Sequence, residues 1–325
     1  MVKGLVIGKF YPPHKGHSYL IETALANADM VDVLVCDSPD YHIPARQRAN
    51  WLRQLYPAAE VSIIPDIGND DDSMAWAKHT IQFLGYTPDI VFSSEDYGDT
   101  YAVAMGCKHH LVDKERKTVP IQARQIRPDV IAKWDYLTPV VRQKYCLRVC
   151  VLGAESTGTT TLAQDLAKKY QAPWVPEFGR TYSEAKLTMG NNAVWNSQEF
   201  DFIAQTQQTM EDYLAGMSNG LLICDTDAFA TRLWHERYMN FLSPSLDKYL
   251  EDSQIDLYIL TEPDIPFVQD GTRDGEHIRL AMHERFKEEL DKHHKNYISV
   301  NGSRTNRLAV ASKTINNMLK NKVTI

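Results

Sequence analysis

The chain has 325 residues, 43% of them hydrophobic and 24% charged, and a net charge of −7. That length accommodates two domains of ordinary size, each able to bury a core of its own. Residues 1–145 hold 16 Lys and Arg against 18 Asp and Glu, and the rest holds 19 against 24, so neither half has the basic surface that broad nucleic-acid binding requires. A few cations in a cleft can still hold an anionic substrate. Five cysteines, at 36, 107, 146, 150 and 224, form no CxxC pair and read as free thiols in a reducing compartment. The apolar run before Lys9 is too short for a signal-peptide core, and no run approaches a membrane span. A cytoplasmic protein without membrane or nucleic-acid partners is expected; a homo-oligomer is compatible with the sequence.

Residues 5–7 are a short apolar run ending at Gly8. Leu20, Ile21, Ala24, Leu25 and Ala28 then share one helical face. Residues 31–36 read as a strand, and 46–56 as a helix stopped by Pro57. Residues 61–64 are strand-like, 74–84 helical and closed by Gly85, and 89–92 a further strand. This alternation predicts a parallel sheet with helices on both faces. Ligands on such sheets bind at the carboxyl ends of the strands. Residues 136–146, with Thr138-Pro139 and mixed charge, read as a linker. A second alternating series opens at 147–152, continues through a helix at 160–170 and strands at 221–224, 257–260 and 297–300, and ends in a helix after the Asn301-Gly302 turn. Both halves are therefore expected to be α/β.

The first motif is Gly8-Lys9-Phe10-Tyr11-Pro12-Pro13-His14-Lys15-Gly16-His17, between the first strand and the first amphipathic helix. A helix N-terminus offers free N–H groups and a positive dipole end, which suit phosphate. His14, His17 and Lys15 add donors there, and Gly16 leaves room for close approach by a ligand or backbone. The stretch resembles the HxGH signature of the nucleotidylyltransferase superfamily. That family's second signature, Ile-Ser-x-x-x-Ile-Arg, is matched by Ile121-Gln122-Ala123-Arg124-Gln125-Ile126-Arg127, with Gln122 in place of serine. The resemblance implies that this segment grips the triphosphate of ATP, with Arg127 on the β- and γ-phosphates through its guanidinium fork. It also implies adenine and ribose contacts from Ser94 and Glu95 in Ser93-Ser94-Glu95, and ATP contacts from Gly8, Lys9, Phe10, Lys15, Gly16 and Ile126. Arg46, which opens a helix with Arg48, and Trp76, whose ring face could stack on nicotinamide, are the candidate contacts to a nicotinamide nucleotide. Asp70-Asp71-Asp72 reads as a solvated helix-capping loop rather than a metal site.

The second motif, Gly153-Ala154-Glu155-Ser156-Thr157-Gly158-Thr159-Thr160, also follows a strand and precedes a helix. It matches the P-loop spacing except that Thr159 holds the lysine position. The loop backbone can still cradle phosphates, and Thr160 can reach Mg²⁺. The missing point charge calls for another cation, for which Arg180, Arg273 and Arg279 are candidates. Asp225 and Asp227 end a strand in the manner of a Walker B segment, as Mg²⁺ ligand and base respectively. Glu177 is a candidate substrate contact, Trp195 a candidate stacking partner, and residues 270–275 a candidate lid carrying Arg273.

An HxGH half followed by a P-loop kinase half resembles the bifunctional NadR family. The implied architecture is a Rossmann-like nucleotidylyltransferase sheet over 1–135 and a P-loop kinase α/β domain over 147–325. Some relatives carry a DNA-binding helix-turn-helix before the first half; with the HKGH motif beginning at His14, no such module is expected here. The resemblance implies transfer of AMP from ATP to nicotinamide mononucleotide, giving NAD and pyrophosphate, and phosphorylation of nicotinamide riboside by ATP, with Mg²⁺ on the triphosphate. The alternatives are a monofunctional adenylyltransferase with a degenerate, regulatory P-loop half, a non-enzymatic nucleotide sensor, and the same fold acting on another phosphorylated acceptor.

Overall fold

A computed structural model of the chain describes residues 1–190, 194–269 and 275–321. The chain separates into two compact units between Lys144 and Tyr145. In the first, five parallel strands, β1 (Lys3–Gly8), β2 (Met30–Asp37), β3 (Glu60–Pro65), β4 (Ile90–Ser93) and β5 (Lys108–Leu111), lie in the order β3-β2-β1-β4-β5. The chain steps outward from β1 to β3 and then returns to the other side of β1. The order therefore reverses between β1 and β4, and a crevice opens at their carboxyl ends.

Both faces of this sheet are covered. Val6 packs with Leu20, Ile21, Ala24 and Ala49 on one face, while Leu5 and Ile7 pack with Trp76, Ala77, Tyr101 and Ala102 on the other. Two-sided burial explains why these strands read as apolar runs rather than alternating ones. The helix Ser73–Leu84 starts where Asp72 accepts the N–H of Ala75 and stops at Gly85, whose φ of 75° is left-handed. The segment read as a linker carries the helix Pro139–Tyr145, with Val141 buried.

The second unit repeats the plan. Strands β6 (Leu147–Leu152), β7 (Trp174–Val175), β8 (Leu221–Asp225), β9 (Leu257–Thr261) and β10 (Tyr297–Val300) are all parallel in the order β10-β9-β6-β8-β7. Every residue of the central β6 is buried. Leu147, Val149 and Val151 pack on the helices Thr159–Tyr170 and Arg304–Asn321. On the opposite face Arg148 reaches Asp212 of the helix Ser197–Met217 at 2.7 Å. Among the described residues no helix is long and apolar enough to cross a membrane.

Candidate functional sites

A cavity of about 640 Å³ lies at the β1/β4 switch point of the first unit. Gly8, Lys9, Phe10, His14, Gly16 and His17 line it from the end of β1 through the first turn of the helix Lys15–Asn27, Ser94 and Glu95 from just after β4, and Trp76, Gln122, Arg124 and Arg127 from elsewhere. Three expected contacts are absent from its wall. Lys15 and Arg46 are exposed, and Ile126 is fully buried. The helix Ala45–Leu55 turns residues 46 and 48 to opposite sides, so Arg48 is the one that points inward. Its Nε donates to the Ile43 carbonyl at 2.9 Å, and its Nη1 to the carbonyls of Cys36, at 3.0 Å, and Lys9.

His14 is the N-cap of the helix Lys15–Asn27. Its Nδ1 accepts the N–H groups of Gly16 at 3.1 Å and His17 at 3.4 Å. An accepting Nδ1 carries no proton, which puts the ring hydrogen on Nε2. Burial, aided by the charge of Arg116, lowers the His14 pKa to about 3. Burial also holds His17 well below the usual histidine range, with help from His14 and Arg116. Both rings are thus neutral donors at physiological pH. A Cβ on Gly16 would lie 2.9 Å from His14 Cε1, so the glycine there makes room for the capping ring rather than for a ligand.

Arg127 donates through Nη1 to the Tyr11 carbonyl at 3.1 Å, with its guanidinium over the Tyr11 ring. Trp76 is 8% exposed and donates Nε1–H to the Asn69 carbonyl at 3.0 Å. Asp70 does not cap a helix; it pairs with Lys9 Nζ at 2.6 Å in the cavity wall. Arg116 was not foreseen. It lines the cavity, pairs with Glu95 and donates to the Ile121 carbonyl at 3.1 Å. The end of β4 is pinned by a relay from Ser93 Oγ to His109 Nε2 at 2.8 Å and from His109 Nδ1 to Asp99 at 2.7 Å. Ser93 is 1% exposed, which denies that relay any nucleophilic role.

In the second unit a cavity of about 420 Å³ is lined by Gly153, Ala154, Glu155, Ser156, Gly158, Thr159 and Thr160, together with Glu177, Arg180, Trp195 and Asp225. Thr157 is the P-loop residue left out. Its buried hydroxyl bonds the Ala154 carbonyl at 2.6 Å and Thr261 Oγ1 at 2.7 Å. Ser156 and Gly158 hold φ values of 58° and 83°, the left-handed steps that turn successive N–H groups to one side. Two buried arginines act from behind the loop. Arg279 Nη2 donates to the Ser156 carbonyl at 2.8 Å, and Arg307 Nη1 to the Thr157 carbonyl at 2.5 Å. A trans peptide sets its N–H opposite its C=O, so anchoring these carbonyls fixes the N–H groups of Thr157 and Gly158 the other way.

Burial raises the Asp225 pKa to about 6, against the opposing influence of the Thr160 hydroxyl, the charge of Arg180 and the Thr159 hydroxyl. Asp227, expected as a base, does not reach the cavity. It caps the helix Ala228–Met239 through the Ala230 N–H at 3.0 Å and accepts the Tyr258 hydroxyl at 2.6 Å. Arg279 is likewise a brace of the loop rather than a wall residue. Arg273 and the segment 270–274 lie outside the described residues.

A family model described as an AAA domain matches residues 148–307. The trifunctional NAD biosynthesis/regulator protein NadR of Escherichia coli (strain K12) is 27% identical over 294 residues, covering 83% of this chain and 71% of that protein. A nicotinamide-nucleotide adenylyltransferase of Caldivirga maquilingensis is 31% identical over 94 residues, 26% of this chain and 52% of that protein. Two solved structures share the fold. A NadR protein in complex with NR superposes with a TM-score of 0.75 at 22% identity, covering 97% of this chain and 95% of that one. A NadR protein with NAD and AMP-PNP gives 0.72 at 21%, covering 96% of each. Both halves of the chain are thus similar in sequence to NadR proteins, and the chain shares the fold of the two solved NadR structures.

Proposed function

We propose that residues 1–135 transfer AMP from ATP to nicotinamide mononucleotide, that 136–146 connect, and that 147–325 phosphorylate nicotinamide riboside with ATP. The observation that carries the first activity is the meeting of neutral His14 and His17 with Arg127 in one cavity at the β1/β4 switch point. The 5′-phosphate of the mononucleotide attacks the α-phosphorus, the bond to the β-phosphate oxygen breaks, and pyrophosphate leaves. The reaction needs no covalent intermediate, so positioning and charge stabilisation are the whole task. His14 Nε2–H and His17 donate to phosphate oxygens as charge moves onto them. Arg116, Arg124 and Arg127 supply fixed positive charge, and Trp76 offers an aromatic wall for the pyridinium ring. The NadR structures with NR, NAD and AMP-PNP support small-molecule ligands of this class.

In the second cavity the γ-phosphoryl passes to the riboside 5′-hydroxyl, ADP leaves, and Glu177 takes the hydroxyl proton. Thr160 and Asp225 form an oxygen-donor pair suited to Mg²⁺ carried on the nucleotide. Among the described residues no group of three or more His, Cys, Asp or Glu is placed to hold a metal ion by itself. When bound, Mg²⁺ would neutralise phosphate charge there.

Thr159 favours one rival reading, in which the P-loop half binds nucleotide only to regulate. Incubation of the purified protein with ATP, Mg²⁺ and either the riboside or the mononucleotide separates the two. NAD and ADP from the riboside establish both activities. NAD from the mononucleotide alone leaves a regulatory P-loop half, and NAD from neither overturns the proposal.

A further inference from the structure

The P-loop of this chain is complete in shape and incomplete in charge. Thr159 occupies the position of the usual lysine, at the first turn of the helix Thr159–Tyr170. A triphosphate brings several negative charges into a cavity whose wall already carries Glu155, Glu177 and Asp225. The loop N–H groups supply dipoles, but they cannot follow the charge that builds on the β,γ-bridging oxygen as ADP departs.

Three arginines lie around this loop among the described residues, and they divide by position. Arg279 and Arg307 are 5% and 4% exposed, and their guanidinium groups are engaged with the carbonyls of Ser156 and Thr157. Neither lines the cavity. Arg180 does, and among the described residues it is the only Lys, Arg or His in the wall. It stands in the first turn of the helix Phe178–Leu187, whose Gly179, Thr181 and Ser183 line the same space. Its side chain is 38% exposed and pairs with Glu184 along the exposed side of the helix, with Nε 3.2 Å from the carboxylate. The Glu184 contact is a surface pair of small worth. Its charge also reaches Asp225 at the end of β8, directly across from the loop.

We propose that Arg180 replaces the missing P-loop lysine, supplying from the facing helix the mobile positive charge on the β- and γ-phosphates. The inference rests on the kinase reading for its catalytic part, but the binding part stands without it. An arginine here differs from a lysine in the loop. Its fork takes two phosphate oxygens in one plane, and it approaches from the acceptor's side of the cavity.

The test uses the full chain and four proteins: wild type, Arg180→Ala, Thr159→Lys and the double variant. Riboside phosphorylation is followed at varied ATP, and ATP, ADP and AMP binding is measured by titration with Mg²⁺ present. Arg180→Ala is expected to lower kcat/KM for ATP on the order of 10²–10³-fold. It should weaken ATP at least tenfold while leaving AMP within twofold. Thr159→Lys should restore at least tenfold of the lost activity in the Arg180→Ala background, which a merely structural role for Arg180 would not allow. If Arg180→Ala keeps ATP turnover and affinity within twofold, or if the added lysine restores nothing, the proposal is overturned. Should wild type phosphorylate no riboside, the kinase reading fails alone, and selective loss of ATP against AMP still decides the role of Arg180. Formation of NAD from the mononucleotide and an unchanged melting temperature check folding, and Arg180→Gln serves if the alanine variant does not fold.

Discussion

His14 and His17 lie ring over ring, with centroids 3.8 Å apart and planes inclined by 25°. Two imidazolium ions could not share that geometry in a buried site. The stack holds because both rings are neutral, and it predicts how the protein responds to acid. In the unfolded chain these histidines take protons near pH 6.5. In the folded chain His14 resists until about pH 3. Over that interval the unfolded state binds more protons, so stability present above pH 6.5 is lost as the pH falls. The melting temperature should drop between pH 7 and pH 5, and the slope should flatten in His14→Asn, which keeps an oxygen acceptor at the N-cap. An unchanged slope would show that the rings are not held neutral. At pH 7.5 His17→Ala should lose at least 10²-fold in adenylyl transfer.

Gly153 makes a prediction about the other unit. A Cβ there would stand 2.2 Å from Thr261 Oγ1 and 2.7 Å from Thr157 Oγ1. Both threonines are buried and hydrogen-bonded to each other at 2.7 Å, so neither can move aside cheaply. Gly153→Ala should cost about 1–3 kcal/mol, read as a lower melting temperature, and should weaken ATP binding. Adding Thr261→Ala removes the closest clash and should recover part of the loss. A Gly153→Ala protein that melts with wild type would refute this account of the loop.

Asp225 and Asp227 are two residues apart and answer differently to the same change. Asp225 lines the cavity, and burial makes its ionised form costly, with a pKa raised to about 6. Removing that charge by Asp225→Asn should leave the melting temperature unchanged or higher while abolishing phosphorylation. Asp227→Ala removes a helix cap and the acceptor of the Tyr258 hydroxyl, and should cost about 2–4 kcal/mol. Loss of phosphorylation without loss of stability in Asp227→Ala would reinstate it as a base.

What the sequence made legible was local. The apolar runs that became β1, β2, β4, β6, β8 and β9 are buried on both faces and announce themselves without any partner. The HKGH stretch and the P-loop each carry strand, turn and helix in one short segment, so their placement followed from context. Two of the four edge strands gave no such signal. β5 reads Lys-His-His-Leu, and β7 is two residues long. Side-chain roles set by distant contacts were also hidden. Arg116 acquires its place from Glu95 and Ile121, and Arg307 from Thr157, 150 positions away in the chain. Asp227 looked like a second acid at a strand end until the Tyr258 hydroxyl and the Ala230 N–H claimed it.

Arg46 and Arg48 give the sharpest contrast between a residue read from sequence and the one the fold uses. Arg48 is fully buried, and its guanidinium gathers the carbonyls of Lys9 after β1, Cys36 in β2 and Ile43 before the helix. It thereby ties the segment leading into the HKGH motif to the end of the neighbouring strand. Arg48→Ala would leave a cavity and several unpaired carbonyls, each costing about 1–3 kcal/mol if water cannot reach it. The expected result is a melting temperature lower by many degrees and adenylyl transfer lost with the fold. Arg48→Lys should rescue little, because one ammonium cannot span three carbonyls in the plane of a fork. Arg46 is exposed and outside the cavity wall, so Arg46→Ala should stay within about 0.5 kcal/mol of wild type and leave the KM for nicotinamide mononucleotide unchanged. A KM raised tenfold with kcat intact would instead mean that Arg46 swings in to hold the nucleotide phosphate, and that the wall of the first cavity closes further once substrate is bound.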